Sequence, residues 1–205
     1  MDAKYMESVW YAFKEVHKKG LVYRGTKIMP FSTACNTVLS NFEAGSNYKE
    51  VSDPAIIVTF PIAGDQHNSN FIAWTTTPWT LPSNLALAIN GNFDYCRFTD
   101  DATTKSYICL KERLAYCVKQ AKIAKHTVHE TFKGQTLVGK SYEPLFPYFE
   151  ERKADNCFSV IHSDHVTNDA GTGIVHCAPG FGEEDYQCCM KAGIIDAGGA
   201  PVPID

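Results

Sequence analysis

The sequence predicts a mixed α/β fold in which many short strands build a barrel or sandwich and a few helices lie at its periphery. Three observations favour this class. Short apolar segments recur between turns rich in Gly, Pro, Asn and Asp, helical periodicity is confined to a few segments, and strands and helices do not alternate. Without that alternation, a doubly wound parallel fold fits poorly.

The first predicted element is an amphipathic helix over residues 2–19, where apolar residues recur at three- and four-residue steps. Gly20 follows as a C-terminal stop. Residues 21–29 predict extended chain, and residues 33–50 are polar and rich in turns. Residues 55–60 and 71–74 then predict two strands of a hairpin, joined by a polar loop.

The rest of the chain continues the pattern of short strands. Further strands are predicted at residues 85–89, 95–99, 106–110, 158–161 and 173–176. Helices are predicted at residues 111–122 and 185–192. Gly134, Gly139 and Pro144 punctuate two more short strands.

Composition is that of an ordinary globular protein, with 44% hydrophobic and 20% charged residues. The formal net charge of -4 gives no basic footprint for nucleic acid, so any such contact must be local. Eight cysteines form no Cys-x-x-Cys pair, and we find no signal peptide or long apolar run. We therefore expect a reduced, cytoplasmic protein with cysteines in its core and no membrane partner.

Residues 74–82 (WTTTPWTLP) place three adjacent hydroxyls between two indoles. Pro78 and Pro82 restrict the backbone, because proline fixes its own φ and keeps the preceding residue out of the helical region. Such a stiff segment presents hydroxyl and backbone N–H groups to a polar ligand. The alternative is a Thr-rich edge strand that runs into a turn.

Residues 171–186 (GTGIVHCAPGFGEEDY) predict a strand, a turn and the start of a helix, with His176 at the strand end. Carboxylates near a helix N-terminus ordinarily cap it. Three acids in a row cannot all do so, which leaves one free to bind an ammonium ion. Gly180 and Gly182 remove side-chain bulk near that position.

Together, these two stretches resemble the editing domain of isoleucyl-tRNA synthetase, eukaryotic cytoplasmic type. Residues 29–41 are similar to the lead-in of that domain, so the resemblance covers nearly the whole chain. Pro78 and Trp79 differ from the Thr-Thr-Arg-Pro string of the valyl and leucyl relatives. Phe181 stands where many bacterial relatives carry His, which questions a polar role there.

The resemblance implies a β-barrel-centred editing domain with peripheral helices. We expect a single domain over residues 1–205, excised from a larger synthetase. The His-Ile-Gly-His and Lys-Met-Ser-Lys-Ser motifs of the synthetic site are absent from the sequence, so only hydrolytic chemistry is expected. Editing needs no cofactor, and ATP would serve only the synthetic site of the parent enzyme.

The resemblance also implies residue roles. Asp185 would bind the α-ammonium group of the misattached amino acid, Thr76 would contact the terminal adenosine and the ester, and His176 would border the amino-acid side chain. These three are the expected catalytic residues. The expected substrate-binding residues are Thr75, Thr77, Trp79, Asn84 and Gly182.

The implied substrates are valine on the 3′ CCA end of tRNA(Ile) and valyl-adenylate, and the implied protein partner is the rest of the synthetase. Three alternatives stay open: a valyl-type domain that removes threonine, a module that binds the tRNA end without catalysis, and an inert insertion. The pairs His126/His129 and His162/His165 lack matched Cys or Glu ligands, so they favour surface pairs over a zinc site.

Overall fold

The computed structural model describes residues 2–202, apart from the side chain of Ala154, and confirms the mixed α/β class. Its α-helices are α1 (Ala3–Lys18), α2 (Asn41–Ala44), α3 (Leu114–Gln120) and α4 (Glu183–Lys191). Its strands are β1 (Phe31–Ser32), β2 (Thr37–Val38), β3 (Ile56–Pro61), β4 (Ser69–Thr75), β5 (Ala86–Ile89), β6 (Asp94–Asp100), β7 (Ser106–Leu110), β8 (His126–Lys133), β9 (Ser159–His162) and β10 (Ile174–Cys177). Short 3₁₀ segments lie at Pro78–Ser83, Lys111–Arg113, Gly134–Thr136 and Pro147–Asp155.

Most predicted elements are present, with small shifts at their ends. The prediction of two short strands around Gly134, Gly139 and Pro144 is wrong in part. One strand, β8, ends just before Gly134, but the following segment makes only isolated bridges. Closely spaced Gly and Pro leave too few consecutive residues there for a ladder. The predicted domain also includes Met1 and residues 203–205, which lie outside the described residues.

Helix α1 forms where the periodicity predicts it, and the Asp2 side chain caps it by accepting the Lys4 N–H at 2.8 Å. None of its residues is buried, and the Trp10 side chain is 70% exposed. The apolar periodicity therefore predicted the helix correctly. The apolar side of the helix is nevertheless exposed in the structure. Among residues 2–202, no helix combines the length and apolar character that crossing a membrane requires.

The strands of residues 2–202 form three sheets, and the smallest is the hairpin β1–β2. A three-stranded sheet has the order β10-β5-β9, and a five-stranded sheet has the order β3-β4-β7-β6-β8. The β3–β4 hairpin is antiparallel as predicted, whereas β4–β7 and β5–β9 are parallel pairs. Both parallel pairs join segments that are distant in the chain, so local turn signals did not predict them.

One seam joins the two larger sheets at the start of β10. The Leu110 N–H, at the end of β7, donates to the Thr172 carbonyl at 2.9 Å. Gly173 follows with a φ of +76°, and a side chain at this position would clash with Leu110. Only glycine meets both demands without strain, so this residue lets the sheets approach closely.

The second seam lies on the other side of the three-stranded sheet. Ser141 bridges Ser159 of β9, and the adjacent Tyr142 bridges Ile62, just after β3. The β-rich centre of the molecule is therefore built from two sheets, of three and five strands, which backbone hydrogen bonds link at their edges. Its interior is filled by buried aromatic and aliphatic side chains, among them Tyr95, Tyr142, Phe60, Phe71, Phe158 and Leu85.

A smaller cluster fills the space between the five-stranded sheet and α3. Because side chains alternate along a strand, Phe71 of β4 enters the main core while Ile72 enters this cluster. Cys96, Cys109 and Cys117 pack in the same cluster. Seven of the eight cysteines are buried and all are free thiols, which agrees with their predicted role in packing.

Candidate active site

A cavity of about 270 Å³ lies where the Thr-rich segment after β4 meets β10 and the start of α4. Both outstanding sequence stretches therefore contribute to one site. The lining residues are Trp74, Thr75, Thr76, Thr77, Trp79, Thr80, Val175, His176, Phe181 and Asp185. Of the eight predicted site residues, only Asn84 and Gly182 do not line this cavity.

Larger cavities exist elsewhere but do not combine the two motifs. One of about 400 Å³ is lined by loop residues 63–67 and has no residue from either motif. Another of about 650 Å³, between β3, β4 and α3, reaches the Thr-rich motif only at Trp74. The smaller cavity is therefore the better candidate site, because it alone unites the predicted groups.

The three hydroxyls of the Thr-rich segment have different environments. Thr75 is buried, and its hydroxyl oxygen accepts the Thr77 N–H at 3.0 Å, which closes a tight turn. Thr76 and Thr77 are exposed at the cavity. Within the part of the chain that the structure describes, the Thr76 hydroxyl makes no side-chain hydrogen bond. It is therefore available to a ligand.

His176 is buried, and both nitrogens of its ring have partners. Its Nδ1 lies 3.1 Å from Asn84 Nδ2, and its Nε2 lies 2.8 Å from Thr80 Oγ1. The Thr80 hydroxyl donates to the Thr77 carbonyl at 2.9 Å. On the far side, the Tyr142 hydroxyl donates to Asn84 Oδ1 at 2.6 Å, and Asn84 Nδ2 also donates to the Ala86 carbonyl.

The direction of these hydrogen bonds determines the tautomer of His176. Tyr142 donates to the Asn84 oxygen, so the Asn84 amide must donate to His176 Nδ1. Nδ1 is then an acceptor, and the ring proton sits on Nε2, which donates to Thr80. Burial lowers the pKa of His176 to about 4, so the ring is neutral at pH 7.

Asn84 is therefore placed differently from the prediction. It was expected as a polar partner in the pocket, but it lies buried behind His176. Tyr142, which orients it, was not predicted at all. The two residues are 58 positions apart, and no local pattern in the sequence relates them. Thr80 was also missed, although it belongs to the recognised Thr-rich stretch.

Asp185 lies in the first turn of α4, and its carboxylate reaches back to accept the Ala178 N–H at 3.0 Å. Burial raises the pKa of this carboxyl from 3.8 to about 6, against the lowering effect of that hydrogen bond. Glu183 and Glu184 are exposed. Of the three acids, only Asp185 lines the cavity.

Gly182 is the N-cap residue of α4 and contributes space, not a cavity wall. A Cβ atom at this position would lie 3.0 Å from Asp185 Oδ2. Glycine therefore leaves the carboxylate room to adopt its position. Across the mouth, the rings of Trp79 and Phe181 meet edge to face with centroids 5.2 Å apart. This pair joins the two motifs and places Trp79 in the cavity wall, as predicted.

Comparison with known proteins identifies the family. The family model described as tRNA synthetases class I (I, L, M and V) matches residues 1–161. The chain belongs to this family. It is 55% identical over its full length to an isoleucine–tRNA ligase of Tetrahymena thermophila. It is also 51% identical, over 95% of its length, to the cytoplasmic isoleucine–tRNA ligase of Saccharomyces cerevisiae.

The chain spans 19% and 18% of the lengths of these two class I tRNA synthetases. Solved structures with the same fold include GlLeuRS-CP1, with a TM-score of 0.57 and 17% identity over 74% of this chain and 71% of that one. The editing domain of the P. knowlesi cytosolic leucyl-tRNA synthetase matches with a TM-score of 0.54 and 14% identity, over 67% and 62% of the two chains. The predicted resemblance to a synthetase editing domain is confirmed.

The hydrogen-bond network makes a prediction for His176 in this synthetase family member. Nitrogen NMR of the imidazole should show a neutral ring with its proton on Nε2 at pH 7, and titration near pH 4. Tyr142→Phe should weaken the preference for this tautomer, because the Asn84 amide loses the donor that orients it. Titration near the ordinary histidine pKa, or a proton on Nδ1, would contradict the network.

The raised pKa of Asp185 makes a prediction for stability. Between pH 4 and about 6 the folded chain binds this proton more tightly than the unfolded chain, so stability falls as pH rises through that window. Asp185→Asn removes this loss and keeps an acceptor for the Ala178 N–H. Its unfolding free energy, relative to wild type, should therefore rise from pH 4 to pH 7 by up to about 3 kcal/mol.

Urea denaturation at several pH values measures this difference. His176 acts in the opposite direction, since its lowered pKa makes stability rise with pH between about 4 and 6.5. That contribution is common to both proteins and cancels in the comparison. Glu184→Gln is the matched comparison: it removes an exposed negative charge that adds a minor part to the raised pKa of Asp185, so it should change the pH profile far less than Asp185→Asn does. A flat profile for Asp185→Asn would refute the raised pKa.

Proposed function

We propose that this chain hydrolyses the ester that joins a misattached valine to tRNA(Ile), and also hydrolyses valyl-adenylate. One observation carries the proposal: the partly buried Asp185 carboxylate lines the same small cavity as the free Thr76 hydroxyl. The first group suits an ammonium ion and the second suits the polar ester or ribose. An aminoacyl ester has both features within a few bonds of each other.

Asp185 is suited to bind the α-ammonium group. At pH 7 the solution lies above its pKa of about 6, so most molecules carry the charge. Among residues 2–202, the carboxylate has one hydrogen bond, from the Ala178 N–H. Its remaining acceptor sites are free for a cation, and charge-assisted hydrogen bonds are stronger than neutral ones. An ammonium ion would offset the desolvation that raises this pKa.

The proposed role calls for a pocket that admits a small amino acid. A hydrophobic synthetic pocket discriminates one methylene by only about 1–3 kcal/mol, so a synthetase for isoleucine also activates valine. A second, smaller pocket corrects this by admitting only the smaller residue. With a volume of about 270 Å³, the cavity lies just below the range typical of ligand sites, about 300–1,000 Å³.

We place His176 in the wall against the amino-acid side chain. Both of its ring nitrogens are engaged, by Asn84 and Thr80, and the ring is neutral. It has no free nitrogen with which to accept a proton from water. The geometry therefore favours a role in excluding the larger isoleucyl side chain over the role of general base.

The nucleophile in this proposal is water. Thr75, Thr76 and Thr77 bind the terminal adenosine and the ester region, with Thr76 as the main side-chain contact. Positioning and stabilisation of the oxyanion supply the rate enhancement, with assistance from the vicinal ribose hydroxyl. We expect no cofactor for this reaction.

The proposed partners are the 3′ CCA end of tRNA(Ile) and the rest of the synthetase. A single-stranded end is recognised through base edges and 2′-hydroxyls, so a net charge of -4 is compatible with the contact. Several relatives are named as cytoplasmic isoleucine–tRNA ligases, and we propose the same compartment for this chain.

Asp185→Asn tests the proposal directly. We expect hydrolysis of Val-tRNA(Ile) to fall by about 30-fold or more, because truncating one partner of a buried charge pair costs about 2–5 kcal/mol. Glu184→Gln, at the exposed neighbouring carboxylate, should retain wild-type activity. The assay measures deacylation as the amount of labelled valine released, at high protein concentration.

The same assay separates the alternatives. Wild-type protein that binds an adenosine analogue but leaves Val-tRNA(Ile) intact would indicate a non-catalytic module. Cleavage of Thr-tRNA(Val) in preference to Val-tRNA(Ile) would indicate a valyl-type domain. Equal activity of folded Asp185→Asn and wild-type protein would reject the role of Asp185 in binding the ammonium group.

His176→Ala tests the exclusion of isoleucine. Removing the ring enlarges the cavity on the side proposed for the amino-acid side chain, so correctly charged Ile-tRNA(Ile) should become a substrate. The ratio of hydrolysis rates for the valyl and isoleucyl esters is the measurement, and circular dichroism checks the fold. If the isoleucyl ester stays intact while the valyl ester is cleaved, His176 does not set the size limit.

A further inference from the structure

A pair of cysteines lies directly beneath the candidate active site. Cys177 is the last residue of β10 and Cys188 lies on α4, and their sulfur atoms are 3.8 Å apart. Each belongs to an element that contributes to the site: His176 precedes Cys177, and Asp185 lies one helical turn before Cys188. A covalent bond between the sulfurs would therefore join the two elements that carry these residues.

The two thiols differ in access. Cys177 is fully buried, whereas Cys188 is 8% exposed and lines a separate cavity of about 290 Å³. That cavity also contains polar and ionisable side chains, including His165 and Lys191. A small polar oxidant can reach Cys188 through this cavity, while Cys177 is reachable only from Cys188.

We propose that Cys188 and Cys177 form a reversible disulfide when the protein meets hydrogen peroxide. The Cys188 thiolate attacks one peroxide oxygen, the O–O bond breaks, and a sulfenic acid and hydroxide form. Cys177 then attacks the Cys188 sulfur, which forms the S–S bond and releases the sulfenic oxygen as water with the thiol proton. The hydroxide takes up the proton that Cys188 lost on forming its thiolate, so overall two thiols are oxidised and one peroxide is reduced to two molecules of water.

The surroundings of the two sulfurs support this order of attack. Hydrogen bonds from the thiols of Cys177 and Cys189 lower the pKa of Cys188, and burial opposes them. The pKa of Cys177 is raised, chiefly by its bond to Cys188. Cys188 is therefore the more accessible thiol and the one with the lowered pKa, and Cys177, with its sulfur 3.8 Å away, is placed to resolve the sulfenic acid.

A second cysteine cluster provides an internal control. Cys96 and Cys109 face each other across β6 and β7, and Cys117 packs beside them. All three are at most 1% exposed, and none lines any of the described cavities large enough for a ligand. These thiols share one buried cluster but lack the access of Cys188. They should stay reduced while the fold is intact.

The experiment is peroxide treatment of the purified protein, followed by alkylation of the remaining thiols, digestion, without reduction, by a protease that cleaves after Glu183 or Glu184, and mass spectrometry. We expect one cross-linked peptide pair that joins Cys177 to Cys188 and disappears after treatment with dithiothreitol. Cys189→Ala removes the ambiguity between adjacent cysteines and should retain the cross-link. Cys188→Ala should lose it, although Cys189 is still present.

Tandem fragmentation of the wild-type peptide assigns the bond if either variant fails to fold. The exposed Cys35 confirms that the oxidant is active. Free thiols at both positions, under conditions that oxidise Cys35, would overturn the proposal. A cross-link from Cys177 to Cys189, or equal oxidation of Cys96 and Cys109 in the folded protein, would overturn it as well.

A consequence for the site can be measured separately. An S–S bond of about 2.05 Å is much shorter than the present sulfur separation of 3.8 Å, so forming it moves both side chains and changes the packing of α4 against the end of β10. Asp185 lies on that helix, and Cys188 donates a hydrogen bond to its carbonyl at 3.2 Å. Oxidation should lower hydrolysis of Val-tRNA(Ile) several-fold, with recovery on reduction. This readout alone rests on the proposed function, so a protein without hydrolytic activity would leave the cross-link test intact.

Discussion

The hydrogen bonds on both nitrogens of His176 hold the candidate site together. One nitrogen connects through Asn84 to Tyr142 at the seam between the sheets, and the other connects through Thr80 to the Thr-rich turn. The bonds run in one direction, from a buried phenol to a backbone carbonyl. Because each member orients the next, a change at any of them should alter the position of the turn that carries the exposed hydroxyls.

Asp185 differs from His176 in that the protein leaves much of its hydrogen-bonding capacity unused. His176 has its polar atoms satisfied by the protein, whereas the Asp185 carboxylate is desolvated and accepts a single hydrogen bond from the residues that the structure describes. A group left in this condition opposes folding unless a ligand compensates. Desolvated ionisable groups with shifted pKa values are common in sites that bind a charged ligand. The proposed ammonium ligand is the species that would relieve it.

Local sequence patterns predicted the elements well, because helix α1 and the β3–β4 hairpin depend on residues close together in the chain. The motif stretches also indicated which residues would meet at the site, although that inference needed resemblance to a known family. The pairing of Asn84 with Tyr142 could not be predicted, since it arises only when β9 and the seam residues come together. The parallel pairing of β4 with β7 has the same long-range origin.

Helix α1 has a consequence for how stability is distributed in the molecule. It is 16 residues long, and none of them is buried, so little tertiary packing supports it. An isolated helix of this length is marginal in water, and local opening of such a segment costs much less than global unfolding. Folding free energy is thus concentrated in the two larger sheets and α4. The amino-terminal helix can melt and re-form while the cavity keeps its shape.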